Sequence, residues 1–465
     1  MKRRSFNLLT AGSAAALSVG IGAPKRAYAG ISADQAATLK TTLTPMGAER
    51  AANADGSIPA WDGGLTEIPS GWSPGAPMPD FFAGDAKLLS IDASNMAQYS
   101  DRLSDGTIAL MKKFPNFRID VYPTHRTAAA PQYVYDNIAK NAVNAVPAAG
   151  GARLGFTGAF GGIPFPIPDS DPLVAGAQIM NNHNCRWMGN TTSRNVASYV
   201  MNDGQLTLAS GTTSILDCPF YDPKGSPETY DGLLRRLRVN FFAPPALNGQ
   251  ALVEWQPADA SQPLQVWQYL NGQGRIRKAP ELTYDTPSSG ADAVANYDEY
   301  FVFYGREDRY DWKLIEKKEV YIPYNNNKMV HVSAEEGHLP NFMNPDIVRW
   351  ELHRVWVVDA TLRPGERNVV AHRRYYVDED TWHATLGDEW DGQGNIWKVD
   401  MMFVENRPDI PGTIFSNVVI YNLQANEYVT LDGTWTNTPY QAGMDTRPVP
   451  PNTFDPQSMA AESQF

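Results

Sequence analysis

From about Gly150 onward the apolar residues of this chain recur at every second position, a period that strands satisfy and helices do not. In Arg236-Leu237-Arg238-Val239-Asn240-Phe241 they alternate with polar residues, and Trp350-Glu351-Leu352-His353-Arg354-Val355-Trp356-Val357-Val358 sets bulky side chains on both faces. Further strands are predicted at Leu264–Leu270, Lys313–Tyr321, Val369–Val377, Ile396–Phe403 and Val418–Leu423. The turns between them are short, as in Asp391-Gly392-Gln393-Gly394. Such turns suit antiparallel neighbours, because a parallel crossover needs about a dozen residues or more. One face of several strands is aromatic and aliphatic, while the other carries Arg, Glu and Tyr. The pattern predicts a β-rich α+β fold in which a large curved antiparallel sheet covers an apolar interior. With 35 Pro and 37 Gly in 465 residues, many turns and few long helices are expected.

Upstream of Gly150 the signals are helical or irregular. Ser32-Ala33-Asp34-Gln35 has the form of a capping box, so a short helix should follow it and end before Pro45. The stretch from Leu43 to Asp80 is dense in Pro and Gly and reads as extended. A second helix is predicted from Asn95 to Lys113, where Met96, Tyr99, Leu103 and Leu110 share a face and Pro115 stops it. A third is predicted from Pro131 to Ala145, with Val134, Ile138 and Ala142 in register and Pro131 at its first turn. The expected organisation is a leader over 1–29, a helical and irregular segment over 30–150 packed on the main domain, a sheet domain over 151–440 and a C-terminal arm over 441–465.

The leader has three parts. Lys2-Arg3-Arg4-Ser5-Phe6-Asn7-Leu8 is basic, Leu8 to Ala23 is weakly apolar and rich in Gly, Ala and Ser, and Ala27-Tyr28-Ala29 is a small-x-small cleavage site. The paired arginines, the weak apolar run and Lys25-Arg26 before the cleavage site point to twin-arginine export, a mature chain starting at Gly30 and a periplasmic destination. The run is too short and polar for a membrane span, and no Cys stands near the cleavage site to take lipid, so a soluble product is expected.

Charge and motifs narrow the function. The net charge is −12 and no Lys/Arg block tracks phosphates, which argues against nucleic acid or anionic lipid headgroups as the main partner. Cys185 and Cys218, the only two cysteines, are 33 positions apart and in an oxidising compartment read as a disulfide. His353, His372 and His383 fall on successive predicted strands, but no H-E-x-x-H or H-x-H spacing occurs, and no metal is expected. The acid clusters Glu307-Asp308-Asp311 and Asp378-Glu379-Asp380 lie beside turns and read as solvated acids or partners for arginine. There is no G-x-S-x-G elbow, P-loop or dinucleotide fingerprint, so no cofactor is expected. The alternating prolines of Gly161-Gly162-Ile163-Pro164-Phe165-Pro166-Ile167-Pro168 favour a rigid extended segment that presents Phe165 and Ile167.

Several segments together resemble the bacterial domain-of-unknown-function family 1329. They are Leu43 to Gly64, Tyr122-Pro123-Thr124-His125-Arg126, Gly161 to Pro168, Ala279-Pro280 with Tyr284-Asp285-Thr286-Pro287, Asp308 to Leu314, Tyr321-Ile322-Pro323-Tyr324-Asn325, Glu351 to Val358, and Tyr376-Val377-Asp378-Glu379-Asp380-Thr381-Trp382. The chain departs from the family pattern around Asn181-Asn182-His183, where a Trp commonly precedes the Asn-His pair, and at Cys185. The resemblance implies an exported protein similar in fold to the LolA and LolB lipoprotein carriers, with a curved sheet forming a half-open barrel closed by helices. It also implies association with RND-class efflux-type transporters and outer-membrane proteins.

A wide curved sheet with aromatic residues inside must be filled by side chains, a plug or a ligand. The leading expectation is a periplasmic carrier of a lipid or fatty-acid-like molecule. Trp267, Tyr269, Trp350, Leu352, Trp356 and Phe165 are the candidate ligand-binding residues, with Arg354 as the polar contact for a headgroup. The alternatives are a periplasmic hydrolase or lyase using Asp or Glu with His, and an envelope scaffold with no ligand. Replacing Arg3 and Arg4 together by Lys should trap precursor in the cytoplasm, and undiminished export of that double variant in a fractionation assay refutes the twin-arginine route.

Overall fold

The alternating stretches form two antiparallel meanders joined into one sheet. The structure, a computed structural model, describes residues 30–280, 282–438 and 444–462, and the expected export signal lies outside them. Two short strands, Leu89–Asp92 (β1) and Arg118–Val121 (β2), come from the N-terminal segment, and Val146–Pro147 (β3) and Phe156–Thr157 (β4) pair only with each other. The first meander runs through Thr191–Asn202 (β5), Gln205–Asp217 (β6), Leu233–Ala243 (β7), Ala251–Pro257 (β8), Gln265–Leu270 (β9) and Arg275–Lys278 (β10). The second runs through Tyr310–Pro323 (β11), Trp350–Leu362 (β12), His372–Asp378 (β13), Ala384–Trp390 (β14), Ile396–Arg407 (β15), Gly412–Asn422 (β16) and Glu427–Gly433 (β17), followed by Met444–Asp445 (β18).

The seam between the meanders is the pairing of β17 with β5, with Val429 opposite Val200. The sheet path starts at β1, passes through β2 and β12 to β17, crosses the seam and ends at β10, so the sheet stays open as a half-barrel. Register at the seam end of the first meander is set by a two-residue hairpin. Asp203 and Gly204 both have positive φ, 48° and 74°, the turn whose twist matches right-twisted strands.

Two of the expected helices form as read. Ser32 caps Ala33–Ala37 (α1) through a complete capping box, and Gln132–Asn144 (α3) buries Val134, Ile138 and Ala142 after Pro131. The second is broken: Met96–Gln98 and Ser100–Arg102 are 3₁₀ turns, and only Asp105–Lys113 (α2) is α-helical. The break has a local cause. Leu103 is extended and the Ser104 side chain accepts from Thr107 N, so the helix starts afresh there. A further helix, Pro172–Asn184 (α4), interrupts the region read as strands, capped by Asp171 with Pro172 in its first turn. Residues 174–184 are all buried, so α4 has no polar stripe and gives no helical period to read. Two short helices complete the set among the described residues, Ala334–Gly337 (α5) and Ser458–Glu462 (α6).

The two faces of the sheet are covered differently. On the inner face α4 crosses β11 so closely that a Cβ on Gly176 would stand 2.6 Å from Lys313 N and 2.8 Å from Leu314 N. The connection from β10 to β11 also crosses the inner face, where Val302 lies against Gly387. On the outer face α2 packs at Gly106 against Asp388 and Val399. The C-terminal arm docks on the outer face of the first meander. Arg238 donates to Thr453 O, Trp255 Nε1 donates to Phe454 O, and Met459 is fully buried there beside Tyr269. Among the described residues no helix is long and apolar enough to cross a membrane.

The N-terminal segment is held to the second meander by buried charge. Arg126 donates to both oxygens of Asp380, at 2.9 and 2.7 Å, and to Glu49 O at 2.7 Å. His353 lies between Glu351 and Asp378, with Nε2 3.2 Å from Glu351 Oε2 and Nδ1 3.5 Å from Asp378 Oδ1. Burial disfavours its cation, but the two carboxylates outweigh it and raise His353 to about 9. A folded pKa above the unfolded value gives stability that is fully present below about 6.5 and is lost as pH rises through about 9.

Two outcomes follow. His353→Gln should flatten the fall in unfolding free energy between about pH 6.5 and 9, and an unchanged slope in urea melts contradicts the assignment. Gly176→Ala should cost about 2 kcal/mol in the same melts, because the clashing atoms are backbone and cannot swing away.

Candidate ligand-binding site

The inner face of the first meander is not filled. Thr192 and Arg194 of β5, Ser210, Thr212, Ser214 and Leu216 of β6, Leu237, Val239 and Phe241 of β7, and Leu252 and Glu254 of β8 all project from it at two-residue spacing. Phe415 of β16 and Asp432 of β17 close the side across the seam, and Tyr297, Tyr300, Phe301 and Tyr304 of the β10–β11 connection form the roof. The space enclosed is about 890 Å³, its open mouth included. Leu237, Val239 and Leu252 make its far wall aliphatic, its roof is aromatic, its hydroxyl-bearing threonines and serines gather on β5 and β6, and Glu254 and Asp432 face it from β8 and β17.

The roof is fastened at several points. Ser210 Oγ donates to Gly290 O at 2.7 Å, and Lys398 donates to Glu299 at 2.7 Å and to Val294 O at 3.1 Å. Arg373 pairs with Asp298 at 3.1 Å and with Glu389 at 3.2 Å. His183 of α4 accepts at Nδ1 from Ala384 N, so its Nε2 carries the proton and donates to Phe303 O at 3.0 Å. Asp292, Ala293, Phe301 and Val302 have φ of 48°, 62°, 56° and 70°, left-handed values that cost side-chain-bearing residues energy.

Of the charged groups facing the space, Arg194 and Glu254 are buried and Asp432 is half-buried. Arg194 Nη1 donates to Phe415 O at 2.9 Å, and its Cζ lies 3.7 Å from the Phe415 ring centroid. Burial lowers the Arg194 pKa against the pull of Asp432 and Glu405. Burial raises the Asp432 carboxyl, with Arg194 opposing, and lifts Glu254 to about 7 although it accepts from the Tyr304 hydroxyl.

None of the seven residues expected to bind ligand lines this space. Trp267 and Tyr269 are on the opposite face of β9, beneath the C-terminal arm, with Trp267 edge-on to Trp255 at 4.9 Å. Trp350 and Leu352 are core, 3% exposed each. Arg354 pairs with Glu379 at 3.2 Å and donates to Ala51 O at 3.1 Å, and Trp356 stacks on Trp382 at 6.3 Å. Phe165 is buried against Phe156. The face was read as one, but protein fills it. Of the lining residues only Leu237, Val239 and Phe241 fall in a stretch read as a strand, and the signal that could have found the site is the matching alternation of Ser210, Thr212 and Ser214 with Leu216.

Cys185 and Cys218 are free thiols, so the expected disulfide is not formed. Both sit where burial keeps sulfur protonated, Cys218 raised to about 11 and Cys185 well up, and the thiol form does not exchange. The three histidines do not converge: His353 lies in the ion network, His372 pairs with Asp359 at 3.2 Å, and His383 Nδ1 accepts from Arg186. His353, Asp378 and Asp380 offer ligand atoms within 4.8 Å of one another, but Arg126 occupies both oxygens of Asp380 and His353 is a cation at neutral pH. That donor set fits an ion-pair network better than a metal.

Residues 90–460 match the family model described as protein of unknown function (DUF1329). An uncharacterized protein of Pseudomonas aeruginosa, PA3922, is 37% identical over 412 residues, covering 87% of this chain and 88% of its own length. Among solved structures, a DUF1329 family protein from Desulfovibrio piger is 12% identical, with a TM-score of 0.42 over 62% of this chain and all of that one. A LolA superfamily protein from Nitrosomonas europaea is 12% identical, with a TM-score of 0.33 over 60% of this chain and 96% of that one. The chain belongs to the DUF1329 family.

Proposed function

We propose that this chain is a periplasmic carrier that holds one amphiphilic molecule, a lipid or a fatty-acid-like compound, in the space over β5 to β8 and passes it between components of an RND-type envelope transport system. The observation that carries the reading is the cavity itself. A largely apolar, aromatic-roofed space with a few polar groups in its walls is the form ligand sites take, whereas a scaffold needs no such void. The leader read from the first 29 residues supports export, and the family resemblance supports the envelope partners. Catalysis by Asp or Glu with His gains nothing from the geometry, because no histidine is among the cavity's lining residues.

Leu237→Trp tests the reading by filling the space from one wall. Binding of a long-chain fatty acid, followed by calorimetry, should weaken about tenfold or more while the melting temperature holds. Organic extraction of natively purified protein and mass spectrometry should find a lipid with the wild-type chain and much less with the variant. Equal affinity and equal lipid content in both chains would place the ligand elsewhere.

A further inference from the structure

Two buried guanidiniums lie just behind the cavity roof. Arg235 precedes Leu237 by two residues on the cavity face of β7, and its Cζ is 5.3 Å from the Tyr304 ring centroid. Arg186, just past the end of α4, has its Cζ 5.2 Å from the Phe301 ring centroid. Tyr304 and Phe301 both line the cavity, so one aromatic ring stands between each cation and that space. The two arginines are 2% and 3% exposed, respectively.

Their hydrogen bonding is incomplete. Arg235 donates through Nη2 to Asn184 O, and Arg186 donates through Nε to His383 Nδ1 at 2.9 Å and through Nη1 to His183 O at 2.5 Å. Arg235 Nε, Arg235 Nη1 and Arg186 Nη2 have no hydrogen-bond partner among the described residues. Interior donors are nearly always satisfied, and a buried cation is costly unless an anion faces it. Neither arginine has a carboxylate within ion-pair distance among the described residues, and Glu254 is engaged by the Tyr304 hydroxyl. The two cations also act on each other, since burial first and then Arg235 push the Arg186 pKa down.

Guanidinium forks with free N–H groups match the paired oxygens of a carboxylate or phosphate. We propose that Arg186 and Arg235 form an anion subsite for the head of the amphiphile whose chain occupies the cavity, reached when Phe301 and Tyr304 turn aside. The partition is built for that movement: Phe301 and Val302 hold left-handed backbone, which stores strain at the place that must give way. The inference rests on the carrier reading and adds to it the chemical class of the ligand, an anionic amphiphile.

The experiment compares hexadecanoate with hexadecan-1-ol on the purified protein by calorimetry, in wild type and Arg235→Met. Met keeps bulk and removes the unpaired charge, and Arg186→Gln serves as the second variant should the first fail to fold. The wild type should prefer the acid over the alcohol by about tenfold, and the variant should lose that preference while binding the alcohol unchanged. A third arm follows the melting temperature with inorganic phosphate alone at constant ionic strength. Acid preference retained by both variants overturns the subsite and leaves the carrier standing. No binding of either amphiphile by wild type overturns both readings. Phosphate protection that Arg235→Met abolishes, without any acid preference, assigns the pair to free anions and overturns the lipid head. No response to phosphate or acid means that water alone serves these donors, and the subsite falls.

Discussion

The inner face of a wide open sheet has to be covered, and the chain has limited means to do it. Its two meanders meet at β5 and β17, so the connection from β10 to β11 must travel from one far edge of the sheet toward the other across that face. Helix α4, which enters β5, takes the side nearer β11 and is buried all round. The connection takes the rest, and between it and β5 to β8 the cavity is what neither element fills. The cavity is a consequence of topology before it is a property of any residue.

The roof is held by charge as well as by packing. Asp298 and Glu299 on the connection meet Arg373 and Lys398 on the sheet, with Glu389 and Asp400 alongside. Four carboxyls face two cations there, an excess that favours protonation: burial first raises Glu389 to about 8, and burial with Glu389 and Glu299 also raises Asp400. A roof pinned through such acids is held most firmly below about pH 4.5 and less firmly as pH climbs toward about 8, since a raised carboxyl loses its contribution between its unfolded and folded values. Strain in Asp292, Ala293, Phe301 and Val302 works against the same pins. The connection is therefore a firmly attached element under local tension.

Much of the architecture was legible because alternation is local. Trp350 to Val358, Ile396 to Phe403 and Arg236 to Phe241 appear as strands with the register their sequence suggests. Helix α4 was illegible for the same reason, as a helix buried on every side has no polar stripe to mark its period. The cavity is hidden from sequence by parity. Alternation shows that Trp267 and Tyr269 share a face, but only the three-dimensional path shows that this face lies under Met459 and that Val266 points the other way, toward Leu252. Aromatic residues were taken as the mark of the interior, yet the cavity wall on β6 is built from Ser210, Thr212 and Ser214, residues that look like surface in sequence.

The polar side of the cavity has a logic of its own. Arg194 at the seam spends its charge on the Phe415 ring and carbonyl, with Asp432 nearby. Glu254 across the space accepts from Tyr304, and at about 7 its carboxyl is poised between neutral and ionised under ordinary conditions. While Glu254 holds that hydroxyl, the Tyr304 ring stays between the cavity and Arg235. An ionised Glu254 is the stronger acceptor for the hydroxyl and also the stronger attraction for Arg235, so the same carboxylate that holds the partition shut draws the guanidinium toward it. Protonation weakens both pulls together and leaves Arg235 with the Asn184 carbonyl as its hydrogen-bond partner. The interior of the first meander is thus arranged so that one carboxylate both holds the partition and attracts the cation behind it, and any chemistry that weakens one pull weakens the other.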